Sequence, residues 1–120
     1  IVSHVVDHRG HLHHAHNRWP ILAHLGLPGP LYAAAFGHPL GFHNRLSPTE
    51  VYARFEAAGL EPIALRRLIY AGGERRWVDD DDGALAGTPG LSPRFLAPVF
   101  RNLSAADLRT AAAHYLFRRP

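Results

Sequence analysis

Cysteine is missing from the 120-residue chain, so disulfides, thiolate metal sites and a cysteine nucleophile are all excluded, while the redox compartment stays open and cytoplasm is only the default expectation. Methionine and lysine are missing too, and all 13 basic residues are arginine. Several arginines come in pairs, Arg66 and Arg67, Arg75 and Arg76, Arg118 and Arg119, separated by acidic segments. A formal charge of +3 spread in this way forms no concentrated basic stripe, so no nucleic-acid partner is expected. No apolar run approaches the roughly 18 residues that would span a bilayer, so membrane insertion is not expected; no charged and then apolar leader is visible at the start, although a fragment could have lost one. The balance of 47% hydrophobic to 19% charged residues suits a globular core, and the length suits one small domain or a piece of a larger one. The chain opens on Ile1 and enters at once the β-branched run Ile1, Val2, Val5 and Val6, as a piece cut from a larger protein does.

What is present divides into legible stretches. The first six residues read as a strand ending at Asp7, followed by a histidine-dense segment from His8 to His24. Pro28, Gly29, Pro30, Gly37, Pro39 and Gly41 then punctuate an apolar, aromatic connector that has room for at most one short helix. Ser47 as N-cap, Pro48 at the first helical position and Glu50 completing a Ser-x-x-Glu capping box predict a helix over 48–58. Val51, Phe55 and Ala58 give that helix a narrow apolar face, and Gly59 supplies the left-handed residue that stops it. Residues 60–70 read as a strand, with Ile63, Leu65, Leu68 and Tyr70 as the candidate core side chains. Residues 71–92 hold glycines and the acidic run Asp79 to Asp82, and read as a solvated loop or hairpin insertion. The carboxylates there lack the alternating spacing of a calcium loop. Leu103 and Leu108 bracket Ser104 as a hydrophobic staple, with Asp107 as an acidic analogue of the capping box, so a short helix is expected from Ala105. Residues 111–117 satisfy both a continued helix and a final strand.

Four segments, taken in order, resemble the class I S-adenosylmethionine-dependent methyltransferases. Val5-Val6-Asp7 with His11 and His14 is similar to the family's exit from its fifth strand, although Gly10 stands where the family pattern has Asp. Asn44-Arg45-Leu46 followed by Phe55-Glu56-Ala57-Ala58-Gly59-Leu60 resembles the stretch entering the sixth strand. Residues 96–108, with Phe100-Arg101 and Ser104 to Leu108, resemble the approach to the last strand, and residues 114–120 resemble that strand and its exit. Each motif is loose, and their order carries the likeness.

The resemblance implies an α/β fold, the C-terminal part of a Rossmann-like seven-stranded sheet. It would comprise a strand, an irregular helical connector, a helix and an antiparallel terminal pair, in which the last strand (111–118) inserts between the first strand and the strand at 61–70. On that view residues 1–120 are the C-terminal portion of one domain. The glycine-rich turn and the acidic residue that hold S-adenosylmethionine would lie upstream, so no cofactor-binding residue is assigned here and the isolated chain is expected to bind none. Ligands of open α/β sheets gather beyond the C-terminal ends of the parallel strands, which puts residues 7–14 at the mouth. Methyl transfer is an in-line displacement that gains from alignment and from a base where the acceptor loses a proton. The resemblance thus implies His11 or His14 as base and Asp7, Asn44 and Arg45 as contacts to a small-molecule methyl acceptor. A structural reading stands beside it for each: His11 capping the turn, His14 packing on the connector, and Asn44 and Arg45 fixing that connector. Self-association through an exposed sheet edge is also implied.

The rival classes are a noncatalytic interaction module and a histidine-rich metal-binding domain, prompted by His4, His8, His11, His13, His14 and His16. Ala15 occupies the position where the metallohydrolase pattern His-x-His-x-Asp-His needs Asp, and no His-Glu-x-x-His occurs. Calorimetric titration with zinc is therefore expected to show weak binding only. A tight stoichiometric complex abolished by single substitutions at two of these histidines would overturn that expectation.

Overall fold

A computed structural model of the chain describes residues 1–9, 22–36, 45–71, 74–80, 85 and 92–120. Four strands form one sheet in the order β1-β4-β2-β3: β1 is Val2–Asp7, β2 Glu61–Ala71, β3 Glu74–Asp79 and β4 Ala112–Arg118. Every neighbouring pair is antiparallel. Because β4 runs against both β1 and β2, those two strands are parallel to each other with the last strand lodged between them. The stretch at 111–117, ambiguous from its sequence, is thus a strand. The expected pairing of 61–70 with 111–118 is present, from Glu61 opposite Arg118 to Leu68 opposite Ala112. The fold is mixed α/β, with helices α1 (Gly29–Phe36) and α2 (Pro48–Ala57) in the connection from β1 to β2.

Helix α2 follows from its end signals. The Ser47 hydroxyl accepts from the Glu50 amide at 3.2 Å, and the Glu50 carboxylate accepts from the Ser47 amide at 2.7 Å. This reciprocal box satisfies two of the donors that a helix start leaves without partners. At the other end the Gly59 amide donates to the Glu56 carbonyl and the Leu60 amide to the Phe55 carbonyl, with Gly59 at φ 79°. Those two bonds are the Schellman arrangement, which a side chain at Gly59 would strain. Ala58, expected on the apolar face, is exposed at the C-cap instead, and Tyr52 takes its place against the core.

The core lies between α2 and one face of the sheet. Alternation places Ala113, Tyr115 and Phe117 of β4 on that face, each fully buried, beside Leu65 of β2 and Val2 and Val6 of β1. Phe55 and Tyr52 of α2 meet the Phe117 ring at 5.0 and 5.2 Å between centroids, in tilted arrangements. Leu65 and Leu68 are buried as expected, but a register shift between Pro62 and Ala64 leaves Ile63 at 47% exposure and Tyr70 is only half-buried; Arg67 and Ile69 share the inward stripe with Leu65. A second cluster, Leu22, Leu25, Leu96 and Leu108 with Leu103 and Phe100, packs the connector against the segment that leads into β4. The anticipated staple of Leu103 and Leu108 belongs to it. The Asp107 amide donates to the Ser104 hydroxyl at 3.0 Å, but the segment forms only a short 3-10 turn over Asp107–Arg109, not a longer helix.

Of the two readings of 71–92, the hairpin holds for its first part. Residues 74–79 form the edge strand β3, hydrogen-bonded to β2 as a hairpin, and Asp79 and Asp80 end it. Among the described residues no helix is long and apolar enough to cross a membrane.

Phe117 is the aromatic on which three elements converge. Phe117→Ala is expected to cost about 3–5 kcal/mol, a large share of the roughly 5–15 kcal/mol available to a domain, and urea unfolding followed by circular dichroism measures it. A loss under about 1 kcal/mol would mean that α2 does not depend on this contact.

Candidate functional site

The C-terminal ends of the parallel strands β1 and β2 lie at the same end of the sheet as the start of β4, with Asp7, Ala112 and Leu68 abreast. Polar side chains concentrate there in two layers, one at the rim and one buried.

The rim is built on Asp7. Its carboxylate accepts from Arg9 through the backbone amide at 2.9 Å, through Nε at 2.9 Å and through Nη2 at 2.6 Å. Arg9 Nη1 then donates to the Tyr70 hydroxyl at 3.2 Å, so one guanidinium bridges from the end of β1 to the end of β2. The Asp7 carboxylate holds the Arg9 guanidinium firmly in its charged form.

The buried layer is an ion-pair network. Arg67, 3% exposed on the inward stripe of β2, donates to Asp80 at 2.5 Å, to Asp107 at 2.9 Å and to the Thr110 hydroxyl at 3.1 Å. Asp107 is 2% exposed and also accepts from the Thr49 hydroxyl in the first turn of α2 at 2.9 Å. Burial by itself would favour a neutral guanidinium, but the two carboxylates outweigh it and Arg67 is held more firmly protonated than usual. The network ties β2, the turn before β4, the end of β3 and α2 to one point.

Beside it, His8 is 3% exposed. Its Nδ1 lies 3.0 Å from the Leu46 carbonyl and its Nε2 lies 3.1 Å from the Tyr115 hydroxyl, which in turn donates to the Pro48 carbonyl at 3.2 Å. Burial pulls the imidazole below its ordinary value of 6.5 and pushes the Tyr115 phenol above its ordinary 10. A cavity of about 10 Å³, scarcely room for one water, is lined on its polar side by His8, His24, Ser47 and Asp107. It is too small for a substrate and reads as a packing defect of the polar layer.

Arg45 anchors the connector. Its guanidinium is sandwiched between the rings of Tyr32 and Phe100, 4.2 and 4.4 Å from their centroids, and donates to the Leu27 carbonyl at 2.6 Å. The stack joins α1 to the Pro98–Phe100 turn, and burial lowers the basicity of the group.

Of the residues that the sequence singled out, Asp7 stands at the rim and Arg45 lies within the connector, while His11, His14 and Asn44 fall outside the described residues. The structure adds Arg9, Arg67, Asp107 and Tyr115, and it gives His8, singled out by sequence only as a candidate metal ligand, a buried place between Leu46 and Tyr115. A signal for Arg67 existed in its position between Leu65 and Ile69 on a strand of period two, where a charge on the inward stripe demands a buried partner. No local pattern announced that partner, which lies forty residues on. Among the described residues no group of three or more His, Asp or Glu side chains is placed to hold a metal ion. No family model, curated protein or solved structure matches this chain.

Removing one member of a buried pair leaves its partner charged and uncompensated. Asp107→Ala is expected to cost about 3–5 kcal/mol in chemical denaturation. Asp80→Ala is expected to cost distinctly less, because Asp80 is 42% exposed and water replaces part of what it gives. Equal losses for the two variants would contradict the assignment of Asp107 as the main counter-ion.

Proposed function

We propose that the chain is the C-terminal, substrate-side part of a class I S-adenosylmethionine-dependent methyltransferase. The observation that supports the reading best is the reversed last strand: β4 lies antiparallel between β1 and β2, which are parallel and joined through α1 and α2. Crossover connections make parallel strands, and inserting the final strand backwards between two of them is a specific departure from simple winding. It is also the arrangement that the family resemblance implies for its last three strands. The loose sequence motifs occur in matching order around it.

The described residues do not fit the cofactor. A backbone cradle over glycine needs a strand-to-helix turn, but Gly59, the described glycine at positive φ, ends a helix, and Gly29 opens α1 from within the connector and not from a strand. No step is therefore routed through that group. What this chain contributes is the acceptor side of the mouth. Asp7, Arg9 and Tyr70 form a hydrogen-bonding rim beyond the strand ends, and the Arg67 network holds the turn before β4 beneath it. The segment leaving Asp7 carries His11 and His14, and Asn44 and Arg45 end the connector; these supply a base and polar contacts for a small-molecule acceptor. Histidine suits the first role because it changes charge near neutral pH. A nucleic-acid acceptor is disfavoured by the scattered arginines, and a cytoplasmic setting is kept as part of the reading.

Isothermal titration tests the division of labour. The 120-residue chain is expected to show no saturable binding of S-adenosylmethionine or its demethylated product, whereas a parent that carries the upstream segment binds both. One-to-one binding by this chain in the low micromolar range would place the cofactor site within it and overturn the reading.

A further inference from the structure

Both ring nitrogens of the buried His8 meet oxygen, and the chain of contacts continues past them. In order it runs from the Leu46 carbonyl to His8 Nδ1, from His8 Nε2 to the Tyr115 hydroxyl, and from that hydroxyl to the Pro48 carbonyl, at 3.0, 3.1 and 3.2 Å. The two carbonyls flank Ser47, the N-cap of α2, while His8 directly follows β1 and Tyr115 lies in β4. Carbonyl oxygens only accept, so the chain has acceptors at both ends and three contacts that each require one proton. A neutral imidazole and a phenol bring two. An imidazolium and a phenol bring three.

We propose that His8, Tyr115 and the carbonyls of Leu46 and Pro48 form a proton-counted latch, one bond short when His8 is neutral and complete when His8 is protonated, which makes the seating of α2 on the sheet responsive to pH. In the neutral latch the imidazole proton belongs on Nδ1, because the other tautomer would point a lone pair at the Leu46 carbonyl. The single hydroxyl proton of Tyr115 is then contested by His8 Nε2 and the Pro48 carbonyl. Protonation of Nε2 removes the contest: the imidazolium donates to both Leu46 and Tyr115, and the phenol turns its proton wholly to Pro48.

The surroundings set where this happens. Asp7, adjacent on the end of β1, and Asp107, from the turn before β4, favour the charged ring, and Arg67 of β2 opposes it. His24 faces the same small cavity from the connector. Burial is the largest influence and carries the midpoint below 6.5, so the switch operates on the acid side of neutrality. Tyr115 keeps its proton throughout, since burial raises its phenol above the ordinary 10. The inference stands on this geometry and does not depend on the methyltransferase reading.

Nuclear magnetic resonance of the isotopically labelled 120-residue chain, followed from about pH 7.5 to about pH 5, tests it directly. Imidazole nitrogen shifts should show the neutral His8 protonated on Nδ1, and the Pro48 carbonyl carbon should move with the same midpoint as the ring. Tyr115→Phe should abolish the Pro48 response and leave the Leu46 contact in place. A neutral His8 protonated on Nε2, or a Pro48 carbonyl that stays still while His8 titrates, would overturn the latch. Both readings come from the wild-type chain, so the test decides even if the variant fails to fold.

Discussion

The buried pairing of Arg67 with Asp107 is the constraint around which the rest of this structure is arranged. Taking a guanidinium and a carboxylate out of water costs several kcal/mol for each ion, and only close geometry with further hydrogen bonds offsets it. Both groups have that here: Arg67 also reaches Asp80 and Thr110, and Asp107 also accepts from Thr49. These additional contacts come from three different elements. The end of β3, the turn before β4 and the first turn of α2 must all stand in register with β2, or a charge is left buried without a partner. An apolar cluster tolerates small slips by repacking, whereas this network does not.

The same network explains why the strand ends are held in register. With the turn at 107–110 held to β2, the Ala111 amide donates to the Leu68 carbonyl and the His8 amide to the Ala111 carbonyl, so the ladder continues one step past β1. Arg9 then crosses above it to Tyr70, and His8 turns inward to Tyr115. Successive residues after a strand go to opposite sides, so Asp7 and Arg9 form the rim while His8 enters the buried layer. Arg45 plays a comparable part at a distance, its planar guanidinium filling the slot between an aromatic ring of α1 and one of the Pro98–Phe100 turn. Arg45, for which the sequence left a connector role and a substrate contact both open, is thereby a joint of the connector.

Local stretches were legible where a local physical rule governed them. The capping box at Ser47 and Glu50, the proline at the first helical position and the glycine after the helix all act within one turn, and α2 begins and ends within a residue of where they place it. The staple of Leu103 and Leu108 formed as read, but the Asp107 carboxylate went to Arg67 in place of the neighbouring backbone, and the expected helix shrank to a single 3-10 turn. Ile63 misled because a bulge displaces it outward, and a bulge depends on the partner strand. Residues 74–79 read as loop or hairpin because two arginines, a glutamate and an aspartate crowd six positions, yet an edge strand tolerates charge on both faces.

By itself the sequence determined the chain's chemical limits, the position of α2, the existence of β1 and β2 and, through the order of loose motifs, a family resemblance with its implied strand order. It did so because caps, turns and period-two patterns act between residues close in the chain. Local pattern left residues 112–118 undecided and only the resemblance implied a strand there; tertiary structure decided it, since their alanines and aromatics satisfy either state until β1 and β2 offer two hydrogen-bonding edges at once. It also decided that His8 and His24 are buried and which carboxylates neutralise Arg67. Those outcomes rest on contacts between residues thirteen to more than a hundred positions apart, and no local pattern encodes a partner at that range.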